Sequence, residues 1–277
     1  MEEFKSFLKT VSGNEGDKCR YNTRLDTYGC GCQHDCSYCY AKSLLSFRGL
    51  WDNAFPKEAD IEKIRRVIKR LPKDKPVRLG GMTDCFMPLE RSRQVTLRTI
   101  EALNESRVPY LIVTKSRLVG QSPWIDALDP ALAHVQISVT CTDDEKAKTY
   151  EHASLPSKRI ETIGRLRQRG VDVALRLSPF IPQYIDFDVL AKADTEKIIV
   201  EFLRVNHWIK QWFDIDYSEY TLRQSGYQHL PLEKTIEYLS MIKGFSQVSV
   251  CEDVTEHYEY WKTNVNANPD DCCNLSV

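Results

Sequence analysis

The chain has 277 residues, 42% hydrophobic content and a formal net charge of −1. That length bounds it to one large domain or two small ones. Its near-neutral charge argues against a broad footprint on duplex nucleic acid, which requires many phosphates to be neutralised. No stretch approaches the ~20 uncharged apolar residues of a membrane helix. The segment Met1 to Lys5 has no basic region leading into an apolar run, so no signal peptide is expected and a cytoplasmic location is. Ten cysteines in that setting point to metal or redox chemistry rather than disulfides.

In chain order, the first informative segment runs from Tyr28 to Ala41 and carries Cys32, Cys36 and Cys39. The spacing is Cys-x3-Cys-x-aromatic-Cys, with Tyr38 before the third cysteine. Three thiolates hold three corners of a four-iron cluster and leave the fourth iron without a nearby protein ligand. An open metal position is where chemistry takes place. The same residues also admit a zinc knuckle completed by His34 or Cys30, although no second knuckle follows.

Helical and strand patterns then alternate. Ile61, Ile64, Val67, Ile68 and Leu71 recur at helical spacing, and Val77 to Gly81 reads as a strand. Val95, Leu97, Ile100 and Leu103 predict a helix, followed by a strand at Tyr110 to Thr114. His134 to Thr140 alternates as a strand. Ile160, Ile163 and Leu166 form a helix face closed by Gly170. Strands follow at Val171 to Leu177 and Ile198 to Leu203. Residues 205–231 are aromatic and polar with weak periodicity, as suits a lid or side wall. Leu232, Ile236, Leu239 and Ile242 form a late helix ending at Gly244, and Ser246 to Cys251 is the last strand. Strands separated by helices specify βα units and a parallel sheet. Six or so such units curl into a (β/α)6-type TIM barrel or part of one within a single α/β domain, with a core at about 24–253 and a C-terminal extension at 254–277.

Chemistry in such barrels sits at the C-terminal ends of the strands. The predicted ends are polar: Gly80, Gly81, Thr83, Asp84 and Cys85; Thr114, Lys115 and Ser116; Ser138 and Thr140; Arg176 and Ser178; Cys251, Glu252 and Asp253. Several ends in register suggest a pocket rather than ordinary turns.

These pieces resemble the radical S-adenosylmethionine (SAM) superfamily, in particular the branch containing spore photoproduct lyase. The likeness is carried by the cysteine loop from Gly31 to Ala41, Thr83-Asp84, Thr114 to Ser116, Ile137 to Thr140, and the Arg159 helix leading into Pro179 to Pro182. It spans roughly residues 28–185. The resemblance implies a [4Fe-4S] cluster on Cys32, Cys36 and Cys39. It implies SAM chelated at the open iron, and cleavage to a 5′-deoxyadenosyl radical by one electron from a donor such as flavodoxin or ferredoxin. It places Tyr38 near the adenine, and Gly80, Gly81 and Thr83 at the SAM amino group and ribose. Lys115 and Ser138 would face the carboxylate or ribose, with Arg176 and Ser178 on the fifth-strand side of the pocket.

The branch's hydrogen-donor cysteine has no counterpart, because Gly81 and Met82 occupy the matching positions before Thr83-Asp84. Cys85 lies on the other side of that pair. The expectation is therefore hydrogen abstraction from a nucleobase-type substrate, rearranging or modifying a pyrimidine in DNA, as a radical isomerase of phage DNA hypermodification would. Photoproduct-lyase-like repair and a zinc-stabilised nucleic-acid-binding module are the alternatives. Asp84, Cys85 and Cys272 are the candidate catalytic residues. In the tail, Cys251, Cys272 and Cys273 admit an auxiliary cluster, a thiol role or a structural role. The aromatic run His257 to Trp261 is expected to pack the tail over the barrel mouth.

Overall fold

Eight strands form one sheet, numbered here β1 (Leu8–Thr10), β2 (Thr23–Leu25), β3 (Val77–Leu79), β4 (Tyr110–Thr114), β5 (Ala133–Val139), β6 (Asp172–Phe180), β7 (Lys197–Phe202) and β8 (Gln247–Val250). The structure, a computed structural model, describes residues 3–275. Spatial order follows chain order from β1 to β8. β1 runs antiparallel to β2, and every later neighbour pair is parallel. A sheet wound in one direction places its crossover helices on one side and curls around the other. β1 and β8 are the two edges, so the barrel is partial and open.

Strand alternation divides the residues by face. Val135, Ile137 and Val139 of β5, with Val173, Leu175 and Leu177 of β6, join the main apolar core. That core also takes Ile163 and Leu166 of helix Pro156–Gln168 and Ile100 and Leu103 of helix Val95–Glu105. The opposite register of the same strands carries Gln136, Ser138, Arg176 and Ser178. Pairing of β6 with β7 shifts between Leu177 and Phe180. Pro179, which has no backbone N–H to give the ladder, lies at that break.

Segment 205–231 supplies a side wall with its own short elements, helix His207–Trp212 and the hairpin Leu222–Gln224 with Tyr227–His229. The tail departs from expectation. Helix Thr255–Asn264 buries Trp261, after which the chain turns into the barrel instead of covering its mouth. Asp271 accepts from Tyr21 Oη at 2.6 Å and from the amides of Cys273 and Leu275, each at 3.0 Å. Cys273 and Leu275 pack on Leu111 near the start of β4, and Lys197 Nζ at the start of β7 donates to Asn274 O at 3.2 Å. The tail therefore fills the N-terminal end of the barrel interior.

One buried carboxylate ties the cysteine-loop side to the helix layer. Glu90 accepts from the Thr96 and Leu97 amides, both at 2.9 Å, from Trp124 Nε1 at 2.7 Å and from Tyr28 Oη. It satisfies the first turn of helix Val95–Glu105, where Gln94 sits in the left-handed region and makes no side-chain cap. Removing the acceptor strands several buried donors, each costing about 1–3 kcal/mol. Glu90→Ala should therefore destabilise the fold by about 3 kcal/mol or more, read from denaturant unfolding, with Glu90→Gln costing less. Equal stability of both variants with the parent would contradict this role.

Candidate functional site

The cysteine loop is folded by its own backbone. Asp35 N donates to Cys32 O and Cys39 N to Cys36 O, both at 3.1 Å, so the three cysteines fall on successive turns. Gly31 permits this path, since a Cβ there would lie 1.9 Å from Asp52 O. Cys39 precedes helix Tyr40–Ser46, and its sulfur accepts the Lys42 amide at 3.4 Å. Cys32, Cys36 and Cys39 all line one cavity at the C-terminal ends of the strands. None of the ten cysteines forms a disulfide. Burial, with Asp84 beside it, pushes Cys32 up to about 12. Burial and Glu151 push Cys36 well above its ordinary range. Metal binding must displace these protons. Three soft thiols converging on one cavity, one with an amide hydrogen bond to its sulfur, fit a [4Fe-4S] cluster with an open iron. Of the fourth zinc ligands considered above, His34 lines the same cavity but turns Nε2 to Asp84 Oδ2 at 3.2 Å, and Cys30 is absent from that lining.

A second layer of charge stands behind the thiols. Glu151 bonds Tyr38 Oη and the Arg159 guanidinium, accepts from Thr140 Oγ1 at 3.3 Å and lies 3.9 Å from Cys36 Sγ. Burial opposes its charge, yet Arg159 and then Lys115 outweigh that and hold the carboxyl below its usual range. Arg159 also donates to Ser138 O at 3.1 Å, fixing β5 at the cavity edge. The sequence offered no signal for Glu151, which follows a short helix rather than a strand.

The residues predicted to hold SAM meet at this cavity: Tyr38, Gly80, Gly81, Thr83, Lys115, Ser138, Arg176 and Ser178 all line it, as does Asp84. Gly80 has φ +82, a left-handed turn suited to glycine. Asp26 Oδ1 accepts the Gly81 amide at 2.6 Å and fixes that turn, and Tyr40 Oη donates to Gly81 O at 2.8 Å. Lys115 Nζ stands 5.6 Å from the centroid of the Tyr38 ring. Thr83 donates its hydroxyl to Tyr28 O at 2.7 Å. Arg176 donates to Glu201 Oε2 at 2.7 Å and Gln136 Oε1 at 2.9 Å, and Ser178 to Glu201 Oε2 at 2.8 Å. Glu201, absent from the sequence reading, is thus their common anchor. Cys85 does not join the site. It is buried in the apolar core and lies outside the cavity lining.

The tail thiols do reach the site. Cys251 and Cys272 line the cavity, with Cys19. The Cys272 thiol donates to Cys251, and this, with Arg176, lowers Cys251 against its burial. Cys272, hydrogen-bonded to both Cys251 and Cys273, is raised well above its ordinary range and holds its proton.

The radical SAM superfamily profile matches residues 27–192. An uncharacterized protein of Methanocaldococcus jannaschii is 25% identical over 201 residues, covering 68% of this chain and 74% of its own. Among solved structures, spore photoproduct lyase complexed with dinucleoside spore photoproduct superposes with TM-score 0.66 at 14% identity, covering 90% of this chain and 80% of that one. Streptococcus suis SuiB bound to S-adenosylmethionine gives TM-score 0.51 at 14% identity, over 78% of this chain and 46% of that one. At such identities these likenesses concern the fold. The family match carries the chemistry and sets aside the zinc module.

Asp84 supports a pH prediction. Burial opposes its ionisation, but His34, the Lys115 amide and the Thr114 hydroxyl overcome it and lower it to about 2. A depressed acid contributes stability above its unfolded value and loses it as pH falls through the folded one. Asp84→Asn should thus cost the cluster-free protein about 2 kcal/mol at pH 7, narrowing to about half near pH 3. A pH-independent gap in unfolding free energy would refute the charge-based account.

Proposed function

The chain belongs to the radical SAM superfamily, and on that premise we propose that it removes a hydrogen atom from a nucleobase-type substrate and rearranges or modifies a pyrimidine. It is an enzyme with a [4Fe-4S] cluster and SAM as cofactors. The cluster, once bound, supplies the single electron that cleaves SAM to a 5′-deoxyadenosyl radical; a flavodoxin- or ferredoxin-type donor would replenish that electron. The chain's own residues orient the two ligands and exclude water from them.

The observation that carries this reading is the charge of one shared cavity. Beside the cluster cysteines it is lined by Lys18, Arg24, Arg78, Lys115, Arg176 and Arg204, six cations, against the four carboxylates Asp84, Glu201, Glu252 and Asp253. A cationic surplus suits the SAM carboxylate and a substrate phosphate. The overall charge of −1 favours a nucleotide or a short exposed strand over extended duplex. Gly81 and Met82 in place of a donor cysteine favour isomerisation or modification, as in phage DNA hypermodification. The second reading, lyase-like repair of a photoproduct, draws on Cys272, a proton-bearing thiol on the wall of that cavity.

Anaerobically reconstituted protein should hold about four irons per chain, and joint replacement of Cys32, Cys36 and Cys39 by alanine should abolish them. With a strong one-electron reductant it should release 5′-deoxyadenosine and methionine, faster with oligonucleotides carrying modified thymine. Acceleration by peptides alone would overturn the nucleobase assignment. Cys272→Ala separates the two readings. Stalled or diverted product with SAM cleavage intact marks a hydrogen donor, whereas normal turnover leaves isomerisation without a tail thiol.

A further inference from the structure

Among the described residues, one group of three metal-capable side chains has ligand atoms all within 4.8 Å of one another: His229, Glu252 and Asp253. It lies apart from the cluster cysteines in sequence. His229 ends the strand Tyr227–His229 of the side-wall hairpin. Glu252 and Asp253 follow β8 and precede helix Thr255–Asn264. Both carboxylates line the cavity. The local backbone aims them. Glu252 Oε1 accepts the Asp253 amide at 2.8 Å and the Val254 amide at 3.0 Å, leaving Oε2 directed away from that turn.

A separate observation points to a ligand. His257 is 1% exposed, and neither ring nitrogen has a hydrogen-bond partner among the described residues. Its Nδ1 faces Glu252 Oε2 at 3.6 Å, too long for a hydrogen bond. A buried imidazole with two unmet nitrogens is costly to leave so. Arg204 Nη1 reaches Asp253 Oδ2 at 2.8 Å and Lys18 Nζ reaches the Asp253 carbonyl at 2.6 Å.

We propose that His229, Glu252 and Asp253 bind a divalent transition-metal ion on the cavity wall, with His257 beside Glu252 as an orienting or additional ligand. One imidazole with two carboxylates selects manganese, iron, cobalt or zinc over magnesium and calcium. Glu252 and Asp253 line the cavity, so an ion held by them would stand at its wall. This site is independent of the radical reading and stands or falls separately from it.

The test uses cluster-loaded full-length protein under anaerobic conditions, stripped of loose divalent ions and titrated with Mn2+, a poor thiolate ligand partner, while free Mn2+ is followed by its paramagnetic resonance. The expected result is one Mn2+ per chain, with affinity lowered about tenfold or more in His229→Gln and Glu252→Gln and kept in Cys272→Ser. No stoichiometric binding by the parent protein, or unchanged affinity in both site variants, overturns the proposal. Should the variants misfold, the parent alone decides. Co2+ bound there should give a nitrogen–oxygen ligand-field spectrum and raise the unfolding temperature; thiolate-to-cobalt charge-transfer bands would place the ion on the cysteines instead and overturn the assignment.

Discussion

A sheet that curls but does not close must hold its charges on its concave face in pairs. Arg176 and Glu201 meet this constraint at the centre of the barrel. Arg176 is buried, and its two terminal nitrogens are committed to Glu201 and Gln136. Glu201 in turn gathers Ser178 and Arg204, and Arg204 continues to Asp253. Arg176 alone would be an uncompensated buried charge costing several kcal/mol. Together they form a rigid rail across β6, β7 and the end of β8. The cavity above that rail keeps its shape because the rail has little freedom to rearrange.

The same principle operates on the cluster side. Glu151 and Arg159 are both fully buried and bonded to each other. Through Tyr38 and Ser138 they lock the aromatic next to Cys39 and the edge of β5. Lys115 adds its charge from β4 toward Glu151 and Cys36. A cluster bound by the three thiols would thus sit against a preorganised carboxylate–guanidinium pair. Its local field is set before any ligand arrives.

How much of this was legible in the sequence depended on the range of each interaction. The strand from Tyr110 to Thr114 and the alternation of His134 to Thr140 declared themselves, because period-two burial is a local property. The spacing of Cys32, Cys36 and Cys39 is local in the same way. Glu151 did not, since it lies 113 residues from Tyr38 and its meaning exists only once β5 and the loop are adjacent. Glu201 was hidden inside an apolar run whose inward face could not be told from its outward one. The hairpin Leu222–Gln224 with Tyr227–His229 has strands of three residues, too short for a periodic signal. The tail misled because its aromatic run reads as a cover. Asp271 decides its course, and the sequence does not disclose that Tyr21 waits 250 residues away.

The two sets of thiols then divide one cavity by their electrostatics. Cys32 and Cys36 stand among Asp84 and Glu151, whose negative charge and burial favour the protonated form until a metal replaces the proton. Cys251 stands beside Arg176 and inclines to thiolate, and Cys272 between Cys251 and Cys273 retains its proton. Cys85, by contrast, is enclosed by apolar core and stands outside this cavity. Cys272 thus comes to the cavity wall from the end of the chain opposite the cysteine loop, carried into the barrel by the Asp271 turn.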